Sequence, residues 1–118
     1  MIIDAHNHPD WRGHDLNAFL ENMASCHIDK TWLFSWEAPE DEYDPVPNHA
    51  YPPLRGDDGP IPFARCLHYK EQAPEKFVLG YAPDPRRPDA LDRLRAAVKI
   101  YEVKLYGELK LRMMYDNP

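Results

Sequence analysis

The sequence predicts an α/β fold, with a parallel sheet of about four strands and helices packed outside it. Short apolar runs recur along the chain, and stretches with apolar residues at helical spacing separate them. Strands that alternate with helices form parallel sheets through right-handed crossovers. A (β/α)8 TIM barrel needs eight such units in roughly 250 residues, so residues 1–118 predict the N-terminal half of one, truncated after strand four.

The first part of the pattern contains two strands and the helix between them. The first strand is predicted over Ile2–Ala5, and the second, which is β-branched and aromatic, over Thr31–Ser35. Asp15 is a suitable N-cap for the helix, because its carboxylate can accept a hydrogen bond from a backbone N–H of the first turn. The apolar stripe of this helix is predicted to be Leu16, Phe19, Leu20 and Met23.

The middle of the chain is rich in proline. From Trp36 to about Ile61 prolines are frequent and the apolar period disappears, which predicts a long loop. Pro62 suits the start of a second helix, which is predicted over Phe63 to about Gln72. The buried side of this helix is predicted to be Phe63, Cys66 and Leu67. The later elements are predicted to be a strand over Phe77–Ala82, a helix opened by Pro88 with the stripe Leu91, Leu94 and Val98, and a fourth strand over Glu102–Tyr106.

Composition and charge exclude several classes of function. The net charge is −6, which argues against nucleic acid or an anionic membrane as partner, since both require a clustered basic face. No apolar run approaches the roughly 20 residues of a membrane span. The start of the chain lacks the basic and apolar regions of a signal peptide, so a cytoplasmic location is expected. Cys26 and Cys66 are expected to be reduced, partly buried thiols.

The residues that carry chemistry follow the first strand. Asp4, His6 and His8 are two residues apart, so in a regular strand they would share one face. Two imidazoles on one face can bind one divalent ion, zinc in the first place, with manganese or iron as alternatives. Asp4 is expected either to orient an imidazole as a hydrogen-bond acceptor or to lie deeper in the barrel. A His-x-His triplet alone is weak, but barrel enzymes place catalytic groups at the carboxyl ends of their strands.

These residues also resemble a known family. Ile2–His8 resembles the first-strand motif of the amidohydrolase superfamily. The remainder is similar to the amidohydrolase-related branch, which includes aminocarboxymuconate-semialdehyde decarboxylase and aromatic-acid decarboxylases. Three further segments resemble the second, third and fourth strands of that branch, in that order: Ile28–Leu33, Pro74–Gly80 and Val103–Tyr106. The likeness covers nearly the whole chain except residues 36–61.

The resemblance implies a metal site at the barrel mouth. His6 and His8 match the family's first two ligands, and Lys104 matches a position that some members carbamylate to bridge two metals. The family's later ligands, two histidines and an aspartate, have no counterpart in the sequence. The implied reaction is hydrolysis of a small amide, lactone or related carbonyl compound by metal-activated water. In decarboxylating relatives the metal instead binds the substrate, so a metal-dependent decarboxylase of a small or aromatic acid is an alternative.

Residues near the predicted mouth are candidates for contact with a small-molecule substrate, although loop aromatics often only close the top of a barrel. These candidates are Trp11, Trp36, Glu37, Tyr81 and Asp84. The other histidines show no ligand spacing and are expected on the surface or on helices. They are His14, His27, His49 and His68.

Two further hypotheses belong to different classes of protein. The chain is alternatively a non-catalytic fragment that needs a partner half, because an open half-barrel exposes two strand edges and an inner face. Association through those edges, as a homo-oligomer or with a second half, is then expected. The other alternative is a phosphoesterase with a His-x-His metal site, although no basic cluster accompanies His14.

Overall fold

The computed structural model describes residues 1–35, 37 and 61–109, with the exception of the side chain of Arg12. These residues form β1 (Ile3–Asn7), α1 (Leu16–Ser25), β2 (Lys30–Phe34), α2 (Phe63–Gln72), β3 (Phe77–Gly80) and α3 (Ala90–Tyr101). A short 3-10 helix, Trp11–Gly13, follows β1. The predicted long loop lies outside the described residues except for Glu37 and Ile61.

The strands form a parallel sheet in the order β1-β2-β3, which confirms the predicted α/β class. The predicted fourth strand, Glu102–Tyr106, is reduced to a single parallel bridge between Gly80 and Leu105. Two backbone hydrogen bonds to Leu79 O, from the N–H groups of Lys104 (3.0 Å) and Leu105 (3.3 Å), hold this segment along β3. The segment meets β3 over only a few residues, too few for a continuous ladder.

One face of the sheet packs against the helices and forms the core. Phe19 of α1, Tyr69 of α2 and Phe77 of β3 meet edge to face, with ring centroids 5.5–5.7 Å apart. Such pairs add to the stabilisation from burial of their apolar area. The other buried members of this core are Met23, Leu33, Cys66, Leu79, Tyr81, Ala97 and Val103.

Helix α1 has the predicted cap and the predicted buried stripe. The Asp15 Oδ1 atom accepts a hydrogen bond from the backbone N–H of Ala18 at 2.9 Å. Phe19 and Met23 are buried, and Leu16 and Leu20 pack against the core. The local pattern therefore agrees with the tertiary packing over the whole helix.

Helix α2 has the predicted bounds, Phe63–Gln72. Pro62 is the N-cap residue rather than the first helical residue. Cys66 and Tyr69 are its buried residues, and Phe63 and Leu67 are partly buried against the core. Burial raises the pKa of the Cys66 thiol to about 12, so this thiol is protonated at neutral pH.

The predicted buried stripe of α3 is wrong at two of its three positions. Leu94 packs on the core, but Leu91 and Val98 are 56% and 50% exposed, and Ala97 is buried in their place. Leu91 and Val98 lie on the flank beside the core-facing side. The Arg93 side chain donates two hydrogen bonds to the carboxylate of Glu37, which follows β2. Association of the chain through its sheet edges stays a prediction.

None of the helices in the part of the chain described by the structure could cross a membrane. The longest of them, α3, has 12 residues.

We expect Asp15→Ala to lower the free energy of unfolding by about 1 kcal/mol, because the substitution leaves an N–H of the first turn of α1 without its partner. Urea denaturation of the purified chain measures the change. Glu71→Ala, at an exposed position inside α2, is the matched control and should change stability by less than about 0.5 kcal/mol. Equal effects of the two substitutions would show that the cap is not a stabilising contact.

Candidate metal centre

A register shift in β1 decides which of its side chains face the same way. Asp4 lies opposite Thr31 of β2, and Asn7 lies opposite Leu33, so three steps on β1 match two on β2. Partners in a parallel pair share a face, so the shift puts Asp4 and Asn7 on one side of the sheet. The side-chain amide of Asn7 accordingly donates to Asp4 Oδ2 at 2.8 Å.

The predicted common face of Asp4 with the two histidines is therefore wrong, and the extra residue in the strand is the physical reason. The Asp4 carboxylate accepts hydrogen bonds from the backbone N–H of His6 at 3.2 Å and from Asn7. It supports the irregular backbone of β1 rather than an imidazole ring.

His6 and His8 do project side by side, as predicted. Their Nε2 atoms are 3.3 Å apart, and the two rings meet edge to face with centroids 5.1 Å apart. The side chain of His6 is 57% exposed, whereas that of His8 is 9% exposed. The pair thus combines one ring at the surface with one ring held inside the fold.

Glu108 joins the two histidines and was not predicted. Its Oε2 atom lies 3.1 Å from the Nε2 atom of each histidine. The backbone N–H of Glu108 donates to Ser35 O at 3.2 Å, which places this residue beside the carboxyl end of β2. A carboxylate two residues beyond a predicted strand was the available signal, since the carboxyl ends of parallel strands meet at one edge of a sheet.

The three donor atoms lie close enough together to be ligands of one metal ion. Four ligands about 2.0–2.1 Å from a tetrahedral zinc ion lie roughly 3.3 Å from one another. The separations of His6, His8 and Glu108 are 3.1–3.3 Å. Octahedral magnesium, with the same bond lengths, would require separations of roughly 2.9 Å and prefers oxygen ligands. The three donors are therefore close enough together to hold one divalent ion, and their chemistry, two imidazoles and one carboxylate, suits zinc better than magnesium.

The inner imidazole, that of His8, has a defined tautomer. Its Nδ1 atom is 2.9 Å from the carbonyl oxygen of Phe34, and a carbonyl oxygen can only accept. Nδ1 of His8 therefore carries a proton, and the lone pair of the neutral ring is on Nε2, which faces His6 and Glu108. A hydrogen bond on the other ring nitrogen is the usual way in which a ligand histidine is oriented.

Lys104 is exposed, and its backbone N–H pairs with Leu79. Over the part of the chain described, no hydrogen bond or ion pair links its amine to the three donors. Its role in catalysis stays a prediction.

The predicted substrate contacts Glu37 and Tyr81 lie in a single ion-pair network. The Glu37 carboxylate accepts two hydrogen bonds from the Arg93 guanidinium, at 2.7 and 2.8 Å, and one from the Tyr81 hydroxyl at 2.9 Å. Burial, with this hydrogen bond, raises the pKa of Tyr81 to about 12. The network ties the ends of β2 and β3 to α3.

Asp84 has a similar arrangement. Arg86 donates to its two oxygens at 2.8 and 2.7 Å, and this bonding lowers the pKa of the Asp84 carboxyl. Trp36 is outside the described residues. For all of these residues, contact with a substrate stays a prediction.

Trp11 and His8 lie on the wall of an open cavity of about 870 Å³ between the start of the chain and α1. The indole of Trp11 packs against the His8 ring, with centroids 5.4 Å apart. Among the predicted substrate contacts, Trp11 therefore lies directly beside a candidate metal ligand.

We expect the free energy of unfolding to fall as the pH rises from about 10 to about 12. Burial raises the pKa of Tyr81 to about 12, whereas an unfolded tyrosine ionises near about 10, so the unfolded chain loses its proton first. The stability is fully present below pH of about 10 and is lost above it. In Tyr81→Phe, the free energy of unfolding from denaturant titrations should fall less steeply with pH than in the wild type.

Burial also raises the pKa of Tyr69 to about 12, so some slope should remain in Tyr81→Phe. The double variant Tyr69→Phe/Tyr81→Phe should flatten the dependence further. Identical slopes in the wild type and the double variant would contradict the assignment.

No family model, curated protein or solved structure matches the chain. What the candidate site can bind therefore follows from the chemistry and spacing of its three donors.

Proposed function

We propose that this chain provides the metal centre of a metal-dependent hydrolase of the amidohydrolase type, with zinc held by His6, His8 and Glu108. The observation that carries the proposal is the donor triangle, in which each separation is 3.1–3.3 Å. Exposed acidic groups are common without a metal, but here two imidazoles and one carboxylate converge on a single point. Imidazole with carboxylate is a donor set that suits zinc.

The place of the triangle in the fold supports the same function. His8 follows β1 directly, and Glu108 follows the segment that pairs with β3, so all three donors lie at the carboxyl ends of parallel strands. Enzymes with parallel α/β sheets bind their ligands at that end. We therefore also propose that the sheet is the N-terminal half of a (β/α)8 barrel, in which the triangle lies at the mouth.

Each donor has a separate part in holding the ion. His8 is buried and hydrogen-bonded to Phe34, so it offers Nε2 in a fixed direction. His6 is exposed and borders the side from which a substrate can approach. Glu108 contributes the negative charge that partly neutralises a divalent cation.

When bound by these three residues, the ion would act as a Lewis acid toward a carbonyl group and would lower the pKa of coordinated water to about 7. Around it, the chain's own side chains orient the reactants. Trp11 packs against the His8 ring and forms an apolar wall beside it. The substrate class that fits is a small amide, lactone or related carbonyl compound.

The metal centre is tested by zinc titration of chelator-treated protein in competition with a coloured chelator. We expect one equivalent to bind, and His6→Ala/His8→Ala to abolish tight binding. Glu108→Gln should weaken binding at least about 10-fold, which corresponds to about 1.4 kcal/mol, because the charged ligand is lost. Saturating zinc should also raise the melting temperature of the wild type, since the ion binds the folded chain.

The matched control is His27→Ala/His68→Ala, which removes two exposed histidines outside the triangle and should leave zinc affinity unchanged. Zinc stoichiometry that is unaffected by loss of both His6 and His8 would overturn the site. Hydrolysis is tested with a panel of chromogenic lactones and anilides. Turnover should require zinc and should disappear in the double-histidine variant, and equal rates in the variant would refute a catalytic role.

A further inference from the structure

We propose that Phe34 is the positioning residue of the metal centre, supporting one histidine through its ring and the other through its backbone carbonyl. This inference rests on the proposed zinc site and concerns a residue that is not itself a proposed metal ligand. Phe34 is the last residue of β2, the strand next to the one that carries the histidines.

The first contact is made by the backbone. The Phe34 carbonyl oxygen accepts a hydrogen bond from His8 Nδ1 at 2.9 Å. Since the carbonyl is held in the sheet, this bond fixes both the rotation of the His8 ring and the nitrogen that carries the proton. Substitution of the Phe34 side chain leaves this contact in place.

The second contact is made by the ring. The Phe34 and His6 rings meet edge to face, with centroids 5.2 Å apart and planes at 63°. An imidazole as exposed as that of His6 would otherwise exchange among rotamers, and ordering it on metal binding would cost conformational entropy. The Phe34 ring restricts His6 to the rotamer in which Nε2 faces His8 and Glu108.

Two glycines provide the space for this ring. A β-carbon at Gly80 would overlap Phe34 Cδ1 and lie 2.5 Å from Cε1, and one at Gly107 would lie 3.1 Å from Cε1. Each distance is shorter than an ordinary van der Waals contact, so neither position accepts a side chain unless the ring moves. The absence of a side chain at both positions therefore keeps the ring against His6.

The glycine contacts also connect the ring to the third donor. Gly107 is the residue before Glu108, and the N–H of Glu108 donates to the carbonyl oxygen of Ser35, the residue after Phe34. The end of β2 thus contacts all three donor-bearing segments. Phe34 touches the first two ligands directly and the backbone beside the third.

The test compares zinc affinity and the visible spectrum of the Co²⁺-loaded protein among side-chain variants. Phe34→Leu keeps the carbonyl but removes the ring, and we expect about a 10-fold loss of zinc affinity, within the range for residues that orient metal ligands. The Co²⁺ absorption should weaken and shift, because a mobile His6 no longer enforces tetrahedral coordination. Phe34→Tyr, which keeps the ring, should retain the affinity and spectrum of the wild type.

Phe63→Leu is the matched control, since Phe63 packs against Tyr81 and Tyr101 away from the triangle. It makes the same change of side chain and should leave zinc affinity and the Co²⁺ spectrum unchanged. Thermal melts of all variants separate a loss of fold from a loss of ligand orientation.

Gly80→Ala gives an independent measurement. In the wild-type background it should displace the Phe34 ring and weaken zinc binding, and in the Phe34→Leu background it should have little further effect. If Phe34→Leu does not fold, zinc binding by Gly80→Ala in the wild-type background tests the positioning role of Phe34. Weaker zinc binding supports the inference, and unchanged binding overturns it.

The two proposals fail in different ways. Wild-type protein that binds no zinc overturns the metal centre, and the role of Phe34 with it. Wild-type protein that binds zinc, together with Phe34→Leu of equal affinity and an identical Co²⁺ spectrum, overturns the positioning role alone.

Discussion

The parallel pairing of β1 with β2, with its register shift between Asp4 and Asn7, is the constraint on which the rest of the site depends. A slip of one residue in a strand moves every later side chain to the opposite face of the sheet. The shift sends Asn7 to the face of Leu33 and turns His6 and His8 toward Phe34. Without it, the imidazoles would face the helices, away from Phe34 and Glu108.

The sheet also brings together donors that are far apart in the chain. Glu108 and His6 are separated by 102 residues, and the entropy of closing so long a loop opposes their meeting. Backbone hydrogen bonds from Lys104 to Leu79, from Gly107 to Tyr81 and from Glu108 to Ser35 offset this cost before any ion binds. An ion that finds its ligands already placed does not have to order them, so more of the binding free energy appears as affinity.

The sequence predicts those features of this structure that depend on local pattern. Helix α1 is correct from its Asp15 cap to its buried Met23, because cap, stripe and tertiary contacts agree. In α3 the pattern favoured Leu91 and Val98, whereas the folded helix buries Ala97 and pairs Arg93 with Glu37, a tertiary contact that the helical period does not contain. The histidine pair was predictable from spacing alone. The position of Asp4 on the opposite face from the histidines was not, because a register shift is a property of two paired strands.

Glu108 is a candidate ligand that sequence spacing does not predict. A ligand that arrives through a tertiary contact carries no fixed spacing to its partners, so only its position after a strand indicated it. Once it is in place, the unequal burial of the two histidines divides their tasks. In the proposed site, His8, which is buried and hydrogen-bonded, would hold the ion from inside the fold, and His6 would hold it from the exposed side. A substrate of the proposed centre would then approach from the His6 side, where the Phe34 ring packs against the exposed imidazole and is proposed to keep it in place.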